Sequence, residues 1–512
     1  MSGHIKYAVV LCALLCTGIS SAQKDLKKAN DAYERADFMT AFGIYSNILK
    51  TDTGNYDLTF KAGVCLFGMN KMDTTCIWYF KKSAAKIPEA HFYLGKIYLM
   101  RGEPKKAMEE LYYFKSVNTE ENIENSEIVL LIRSCESAIK EESKKENYIV
   151  RNVGSSINSK YPEYVPLIWN VNGSLIFTSR RADSKGGQKD PYGRYYEDIY
   201  IAQKLKENWG NPVPFSDNVN SQAHDACVAF SPDGNELIIY RTDEKQTGGD
   251  LYISKYDGEK WSAPEMLGPE INSEYLEASA CFSADGDEII FSSNRPGGFG
   301  GKDLYRVRKF MNGKYSLPFN LGPSINTPLD EDAPYIDKRD NSLYFSSKGH
   351  NSIGEYDIFR SEFNAAEHKW MAPENLGMPI NSTNDDIYFM KLDDKPVAFF
   401  SSRREGGFGD ADIYQVNFEE STQLIVYCKL KYAGIEKSEL KDVQLSMIDV
   451  ENGKLEGVFK PNKSYMAMVL VATVNRPYKL LLEGPNIEPV IKNIVFTGNE
   501  KEIEIEVSRK VK

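Results

Sequence analysis

The sequence predicts a multidomain protein of the α plus all-β class, with N-terminal tetratricopeptide helical repeats, a five-bladed β-propeller and a C-terminal β-sandwich. Helical periodicity follows residue 22, an Asp-Ile/Leu-Tyr/Phe marker then recurs five times, and unrepeated strand alternation completes the chain. We place the boundaries at 1–22 for a signal peptide, 23–146 for the helices, 147–420 for the propeller and 421–512 for the sandwich.

Length and charge bound the possible functions. The chain has 512 residues, which is enough for several domains of roughly 100 to 200 residues each. Its 62 Lys and Arg against 73 Asp and Glu give a net charge of -11, spread along the sequence without a basic cluster. We therefore expect no nucleic-acid partner.

The first residues, MSGHIKYAVVLCALLCTGISSAQ, have the pattern of a cleaved secretory signal. A cation at Lys6 precedes an apolar run from Tyr7 to Leu15, and the small residues end at Ala22. Cys16 raises the alternative of a bacterial lipoprotein, although the residue before it is the bulky Leu15. No later segment approaches the ~20 consecutive apolar residues of a spanning helix, so we expect a soluble mature protein.

Six cysteines follow the signal: Cys65, Cys76, Cys135, Cys227, Cys281 and Cys428. They have no CxxC spacing, which argues against zinc. In an oxidising compartment Cys65 and Cys76 would pair if they face each other across a helical hairpin, and buried free thiols are the alternative.

The helical region has tetratricopeptide spacing in AHFYLGKIYLMRGEPKKAMEELYYF, where small and large residues alternate around Gly95, Gly102 and Leu111. The segment ANDAYERADFMTAFGIY repeats the arrangement, and three repeats with a final helix are predicted. Such a stack presents a groove for a peptide or a partner protein. We assign Tyr93 and Tyr98 as candidate partner-binding residues there.

The β region is built on a repeat. FSSNRPGGFGGKDLY (Phe291–Tyr305) and FSSRREGGFGDADIY (Phe400–Tyr414) agree at ten of fifteen positions. The marker aspartates are spaced 52, 53, 54 and 55 residues apart, at Asp198, Asp250, Asp303, Asp357 and Asp412. Four short strands for every ~50 residues are typical of a propeller blade.

The ends of this repeat predict how the ring closes. The fifth marker leads directly to QVNFEESTQLIVY, so its blade lacks an outer strand. The matching segment stands before the first blade, as NYIVRNVGSSINS. We therefore predict that Tyr148–Gly154 supplies the outer strand of the last blade, which leaves no open sheet edge inside the ring.

The glycine-rich loops are read as turns. We expect Gly297, Gly298 and Gly300 to supply positive φ angles, together with their counterparts Gly406, Gly407 and Gly409. Neither a helix nor Lys-Ser/Thr follows GGFG, which argues against a phosphate loop.

The charged residues of the repeat have two expected roles. Each marker aspartate should pair with an arginine or with backbone amides near the end of the preceding strand, as at Arg295 and Arg403. These two arginines and Arg180 are the candidate partner-binding residues of the propeller.

Each blade also has a carboxylate near the start of its innermost strand: Glu163, Asp225, Glu277, Glu331 and Asp386. Some five-bladed propellers are glycosidases, but that chemistry needs two carboxylates in different environments. Five equivalent residues indicate a structural role in anchoring the backbone, shared with the marker aspartates. HExxH, GxSxG and Walker motifs are absent from the sequence, and we predict no catalytic residue, metal or cofactor.

From about Thr422 onward, alternation returns without the repeat in LIVYCKLKY, VQLSMIDVENGK, YMAMVLVATV, YKLLLEG and KEIEIEVSR. Around 90 residues with six or seven such strands predict a small β-sandwich.

The units FSPDGNELIIYRT and FSADGDEIIFSSNRPGGFGGKDLY resemble the TolB-type propeller repeat. The order of signal, tetratricopeptide repeats, propeller and carboxypeptidase-regulatory-like sandwich is similar to PorE-type envelope proteins of the type IX secretion system. The resemblance covers essentially the whole mature chain. It implies a periplasmic scaffold that associates with the outer membrane through partners. Such proteins usually continue into an OmpA-like domain, whereas we expect this chain to end after the sandwich.

We therefore expect a non-catalytic periplasmic adaptor whose partners are envelope or secretion-system proteins, with no nucleic acid and no transmembrane span. The alternative is a propeller enzyme or glycan-binding protein that acts through the central channel. A channel lined asymmetrically by aromatic and acidic residues would favour this alternative, and a plugged or uniform channel would favour the adaptor.

The signal should be cleaved between Ala22 and Gln23, because small residues fit the peptidase pocket and the apolar run is too short to anchor the chain. Intact-mass measurement of exported protein checks this expectation. A mature chain that begins at a lipid-modified Cys16 would contradict it.

Overall fold

The computed structural model describes residues 23–118, 123–142, 148–190, 193–205, 208–243, 248–418, 423–432, 434–440, 442–450, 453–462, 466–474, 476–497, 500 and 502–510. The signal-like segment 1–22, with Cys16 and the predicted cleavage site at its end, lies outside these residues. The described residues up to Phe418 form one compact unit, and those from 423 onward form a second.

Seven helices begin the first unit: α1 (23–34), α2 (Phe38–Ile48), α3 (Tyr56–Gly68), α4 (Thr74–Ser83), α5 (Glu89–Met100), α6 (Pro104–Val117) and α7 (Asn125–Glu142). Asp37, Asn55 and Asp73 cap α2, α3 and α4 by accepting hydrogen bonds from backbone N–H groups of the first turn. Glycine allows consecutive helices to approach, since a Cβ at Gly95 would lie 2.6 Å from Cγ of Leu111.

Within the described parts of the chain, no helix combines the length and apolar character needed to cross a membrane.

Five four-stranded sheets follow, which we number I to V in chain order. After β1 (Ile149–Asn152), sheet I contains β2 (Glu163–Trp169), β3 (Ser174–Ser179), β4 (Asp198–Ala202) and β7 (Val213–Pro214), with the hairpin β5 (Lys204–Leu205) and β6 (Asn208–Trp209) beside it. Sheet II contains β8 (Asp225–Phe230), β9 (Glu236–Thr242), β10 (Gly249–Lys255) and β11 (Glu265–Met266). Sheet III contains β12 (Ala280–Phe282), β13 (Glu288–Ser293), β14 (Asp303–Arg308) and β15 (Phe319–Asn320).

Sheet IV contains β16 (Glu331–Ile336), β17 (Leu343–Ser347), β18 (Asp357–Ser361) and β21 (Glu374–Asn375), with the hairpin β19 (Phe363–Asn364) and β20 (Lys369–Trp370). Sheet V contains β22 (Asp386–Lys391), β23 (Val397–Ser402) and β24 (Asp412–Asn417). The first strands β2, β8, β12, β16 and β22 contact one another in this order, and β22 contacts β2. The five sheets therefore surround a central channel.

The fourth strand of sheet V is β1, which comes from the start of the β region. It pairs antiparallel with β24, with Ile149 opposite Asn417 and Asn152 opposite Tyr414. The predicted closure of the last sheet by Tyr148–Gly154 is therefore confirmed. Asn152 also donates a hydrogen bond of 2.7 Å to the marker carboxylate Asp412, which joins the first and last repeats by side chains as well.

A buried asparagine in each repeat extends the sheet pairing. Its amide accepts a hydrogen bond from the N–H, and donates one to the C=O, of the residue after the marker aspartate. For Asn326 these bonds to Leu304 measure 2.8 and 3.0 Å. The other four pairs are Asn158–Ile413, Asn220–Ile199, Asn272–Leu251 and Asn381–Ile358.

Most of the loop glycines do not have the positive φ that the sequence predicted. Only Gly297 and Gly406 have positive φ, of 89° and 88°. A Cβ at Gly300 would overlap backbone atoms of Thr327 and Pro328 in the neighbouring sheet's entry loop. The remaining members make equivalent approaches: Gly409 contacts the backbone of Ser159 and Tyr161, and Gly298 and Gly407 lie against the carboxylates of Asp303 and Asp412.

The second unit consists of two sheets around one core. The strands are β25 (Gln423–Tyr432), β26 (Gln444–Asp449), β27 (Leu455–Phe459), β28 (Ala467–Thr473), β29 (Pro477–Glu483), β30 (Val490–Val495) and β31 (Glu502–Val507), and a 3₁₀ helix spans Lys437–Leu440. One sheet has the order β28-β25-β31 and the other β27-β26-β29-β30. Alternate residues of both sheets enter the same core, among them Val426, Leu445 and Leu480.

The six cysteines are buried free thiols. Cys65 and Cys76 do not pair, so the disulfide alternative is wrong and the buried-thiol alternative is confirmed. Burial raises the pKa of each of these two thiols to about 12, which keeps them protonated at neutral pH.

Replacing Asn326 by Ala should lower the free energy of unfolding by about 3 kcal/mol, because the buried N–H and C=O of Leu304 both lose their partner. Chemical denaturation of the purified protein measures this change. The control is Asn312→Ala in an exposed turn, which should change stability by no more than about 0.5 kcal/mol. Equal effects of the two substitutions would contradict the proposed role of Asn326.

Candidate functional site

The five innermost-strand carboxylates are buried where each repeat enters its first strand. Each accepts a hydrogen bond from the backbone N–H of the Ser or Thr that follows the buried asparagine. For Glu277 the donor is Ser273 N at 2.9 Å, and for Glu331 it is Thr327 N at 2.7 Å. Glu163, Asp225 and Asp386 accept from Ser159, Ser221 and Ser382 in the same way. None of these carboxylates lines a cavity described below.

The arginines pair with these carboxylates and not with the marker aspartates as we expected. Arg295 lies 3.2 Å from Glu277, and its guanidinium donates a 2.6 Å hydrogen bond to the carbonyl of Ile271. In sheet V this position belongs to Arg404, which lies 2.7 Å from Asp386, and not to Arg403. Arg181 and Arg241 complete the set with Glu163 and Asp225.

Sheet IV departs from this pattern because His350 replaces the arginine. Its Nε2 lies 2.9 Å from the carbonyl oxygen of Ile325, and burial lowers the pKa of this imidazole. Glu331 therefore has no guanidinium beside it. Burial raises the pKa of Glu331 to about 7, although hydrogen bonds from Ser347 and Thr327 oppose the shift.

The marker aspartates accept hydrogen bonds from backbone amides of the glycine-rich loops. Asp303 accepts from Phe299 N at 2.7 Å and from Asn320 Nδ2 at 2.7 Å. Asp357, Asp412 and Asp198 accept from loop amides at Ile353, Phe408 and Lys185. For Asp250 part of the corresponding loop, 244–247, lies outside the described residues.

The candidate partner-binding residues have different environments. Tyr98 belongs to the helical core at 8% exposure, so little of its side chain is open to a partner. Tyr93 stacks on Phe80 at 4.9 Å within an aromatic cluster. Arg295 is bound to its own repeat, whereas Arg180 and Arg403 both line an opening of the channel.

The channel has two chambers. The outer chamber has a volume of about 300 Å³ and is lined by charged side chains, and we call its opening the mouth. The inner chamber has a volume of about 490 Å³, is mainly apolar, and extends to exposed turns at Asn170, Lys338 and Asp393. Tyr164, Glu197 and Tyr388 line both chambers and form the waist between them. The walls of the inner chamber differ, with Ala226 and Ala278 on one side and Tyr335 and Phe389 on others.

Glu197 is the centre of one charged cluster at the waist. Arg180 Nη2 lies 2.5 Å from its carboxylate, His224 Nδ1 lies 3.2 Å away, and Tyr164 Oη donates a hydrogen bond to it. Burial alone would raise the pKa of Glu197, but the bond from His224, the charge of Arg180 and the bond from Tyr164 outweigh it and lower the pKa to about 2.

Asp332 is the centre of a second cluster across the channel. It forms an ion pair with Lys302 and accepts hydrogen bonds from Ser292 Oγ at 2.8 Å and Ala333 N at 2.9 Å. Burial opposes ionisation, but the charge of Lys302 and these bonds lower the pKa of Asp332. Glu197 and Asp332 are therefore both ionised at neutral pH, and neither is available as a general acid.

The backbone beside the waist adopts a strained conformation. Val165, Ala333 and Tyr388 have φ of 52°, 49° and 60°, in the left-handed region that non-glycine residues rarely occupy. Each lies where β2, β16 or β22 loses register with its neighbouring strand. Such conformations cost about 1 to 3 kcal/mol each and persist where the surrounding contacts hold them.

Sequence reasoning named Arg180 of the first cluster but missed Glu197 and Asp332, the carboxylates at the centres of the two clusters. After the innermost carboxylate the five repeats have Tyr164, Ala226, Ala278, Asp332 and Ile387, and before the marker they have Glu197, Gly249, Lys302, Tyr356 and Ala411. These positions vary while their neighbours repeat. Comparing the repeats for such variation would have identified the waist, because equivalent positions of a closed ring face the same channel.

No protein-family model matches this chain, and a comparison with curated proteins finds no match. Solved structures similar to it include a putative TolB from Agrobacterium tumefaciens, 15% identical with a TM-score of 0.32, covering 64% of this chain and 97% of that one. An endo-arabinase from Bacteroides thetaiotaomicron is 12% identical with a TM-score of 0.35, covering 54% and 99%. The Yersinia enterocolitica translocator chaperone SycD is 16% identical with a TM-score of 0.22, covering 24% and 87%.

Replacing Glu197 by Gln should lower the free energy of unfolding by about 3 kcal/mol at pH 7, because the largely buried Arg180 loses the nearer of its two counter-charges and keeps only Asp190 at 3.1 Å. The carboxylate stabilises the fold above its ordinary pKa of 4.5, and this contribution is lost as pH falls towards about 2. The difference between wild type and variant should therefore shrink over that interval.

Chemical denaturation at several pH values measures the effect. Glu362→Gln is the matched control, because Glu362 pairs with Arg360 at 2.9 Å on the surface and its loss should cost at most about 1 kcal/mol. A Glu197→Gln difference that stays constant between pH 7 and pH 3 would show that ionisation of Glu197 does not stabilise the fold.

Proposed function

We propose that this chain is a non-catalytic periplasmic adaptor of a bacterial envelope or secretion machine of the type IX kind. In this proposal the seven helices are tetratricopeptide repeats, the five sheets are blades of one propeller, and the second unit is a carboxypeptidase-regulatory-like sandwich. The closed order of first strands and the exchange of β1 into sheet V support the propeller. Association with the outer membrane would come through its partners.

The observation that carries the proposal is the pairing of charges in the outer chamber. Glu197 and Asp332 differ from the repeat, but each is bound to a cation and has a lowered pKa. A glycosidase needs one carboxyl group that remains protonated near neutral pH. Paired charges of fixed geometry are instead suited to recognition, because they select a complementary partner without transferring protons.

The helices add a second surface beside this mouth. The side chain of Asn70 donates a hydrogen bond to Asp410, which lines the mouth, and Arg101 lies 3.6 Å from Glu405. Asn384 donates a hydrogen bond to the carbonyl of Met100 at the end of α5. These contacts fix the helical loops next to sheet V. A partner can therefore contact the helices and the mouth together, which strengthens modest individual contacts.

Arg403 is an accessible charge of this combined surface. Its side chain is 40% exposed and lies 3.5 Å from Asp385 and 3.7 Å from Asp410. These three groups present both signs of charge at the mouth. We infer a polar polypeptide segment as the partner that they recognise.

A second candidate function is the binding of a small ligand in the channel. The aromatic and acidic lining is asymmetric, which is the property that favours a channel function over a passive ring. The lining of the inner chamber is mainly apolar, and the carboxylate of Glu197 at the waist is already paired with Arg180. An apolar ligand therefore fits this chamber better than a glycan.

A photocrosslinking amino acid in place of Arg403 should capture an envelope protein in intact cells that produce this protein, because the mouth is the proposed contact. The same replacement at Glu259, in an exposed turn of sheet II, serves as the control and should capture little. Mass spectrometry identifies the captured proteins.

Equal capture at both positions, or none at Arg403, would contradict the adaptor proposal. Hydrolysis of an envelope glycan by the purified protein, abolished by Asp332→Asn, would replace it with an enzyme that acts through the channel.

A further inference from the structure

The outer hairpin of sheet III carries a surface that the adaptor role does not use. Four large apolar side chains project from residues 309–319, which we call the hairpin patch: Phe310, Met311, Leu317 and Phe319. Met311 is fully exposed at the turn and Leu317 is 83% exposed. Soluble proteins rarely leave such side chains together in water without a binding function.

The same hairpin is free of acidic residues. No Asp or Glu occurs between Leu304 and Leu329, although the chain contains 73 of them and has a net charge of -11. Arg306, Arg308, Lys309 and Lys314 supply four cations within this stretch. Arg306 and Lys309 lie 3.2 and 3.6 Å from Glu288 and Glu236, while Arg308 and Lys314 are exposed. The charge of Arg308 also contributes to the lowered pKa of Asp285 in the neighbouring turn. The hairpin is therefore basic in its own sequence, and Lys314 is exposed at its turn.

The other repeats provide an internal comparison. Phe319 pairs with Arg306 across β14 and β15, and the residues at this register in sheets II and IV are Glu265 and Glu374. Leu317 stands two residues earlier, where sheets II and IV have Ala263 and Ala372. The fold therefore does not require apolar residues at these positions. Sheet I carries the exposed Val213 at the register of Phe319, so the pair Leu317 and Phe319 distinguishes sheet III from sheets II and IV.

We propose that the hairpin patch binds directly to an anionic phospholipid surface. The apolar side chains lie at and beside a projecting turn, where Phe310 N donates to Lys314 O at 2.7 Å and Gly313 has a φ of 78°. Projecting side chains need a pocket in a protein partner, whereas the interface of a bilayer accepts them without matched shape. Basic residues around them add attraction to anionic headgroups.

This inference goes beyond the adaptor role, because it assigns membrane contact to the chain itself and not to a partner. The chamber residues and the mouth take no part in it. A protein that fails to capture a partner at Arg403 can still bind membranes, so the two proposals fail independently.

The test is co-sedimentation of the protein lacking residues 1–22 with vesicles of phosphatidylcholine that contain about one-third phosphatidylglycerol. We expect binding that weakens with added salt and is about tenfold weaker on phosphatidylcholine alone. Phe310→Ser with Met311→Ser should reduce binding by about tenfold or more, because two apolar side chains no longer enter the interface. Leu317→Ala with Phe319→Glu introduces the residues that sheets II and IV have at these positions. This variant should also bind vesicles more weakly.

The matched control is Phe363→Ser with Met371→Ser, which removes two exposed apolar residues from the outer hairpin of sheet IV. It should leave vesicle binding unchanged, and equal melting temperatures show that each variant is folded. Wild-type binding that is absent, or equal on neutral vesicles, overturns the proposal. Vesicle binding that both hairpin variants retain also overturns the proposal. If those variants instead lose capture of an acidic envelope protein, the hairpin patch binds a protein and not a membrane.

Discussion

One buried asparagine in each repeat makes the two hydrogen bonds on which the ring of sheets depends. Its side chain occupies the position of another strand, because it meets both the N–H and the C=O of the residue after the marker aspartate. The adjacent Ser or Thr then binds the innermost carboxylate, and that carboxylate holds an arginine in four of the five sheets. These hydrogen bonds join the loop that enters each sheet to the preceding repeat's marker strand on one side and to the new innermost strand on the other.

The sequence predicted the features that repeat. The period, the five markers and the exchange of β1 into sheet V follow from local patterns that recur, and the pairing of Ile149 with Asn417 agrees with them. The charged lining of the channel did not follow, because Glu197 and Asp332 differ from their counterparts in the other repeats. The role of Gly300 could not be predicted from the sequence either, since it depends on how closely the next sheet's backbone approaches.

Charge is distributed in this protein in two distinct ways. At the waist, acidic and basic groups are buried in pairs, so the low dielectric strengthens each pair and fixes its geometry. On the outer hairpin of sheet III, cations stand without acidic neighbours in the sequence and flank exposed apolar side chains. Net charge describes neither arrangement. A chain of -11 overall contains an interior site of paired charges and a surface hairpin that is basic in its own sequence.

The placement of β1 in sheet V sets the order of events during biosynthesis. Asn152 and its partner Asp412 are 260 positions apart, so a ribosome that adds about 5 to 20 residues per second needs roughly 13 to 50 seconds to complete the pair. Over that interval β1 has no strand to pair with, and sheet I lacks its neighbour, sheet V. The ring can therefore close only after the last repeat has been synthesised, although the strand that closes it is made before the first.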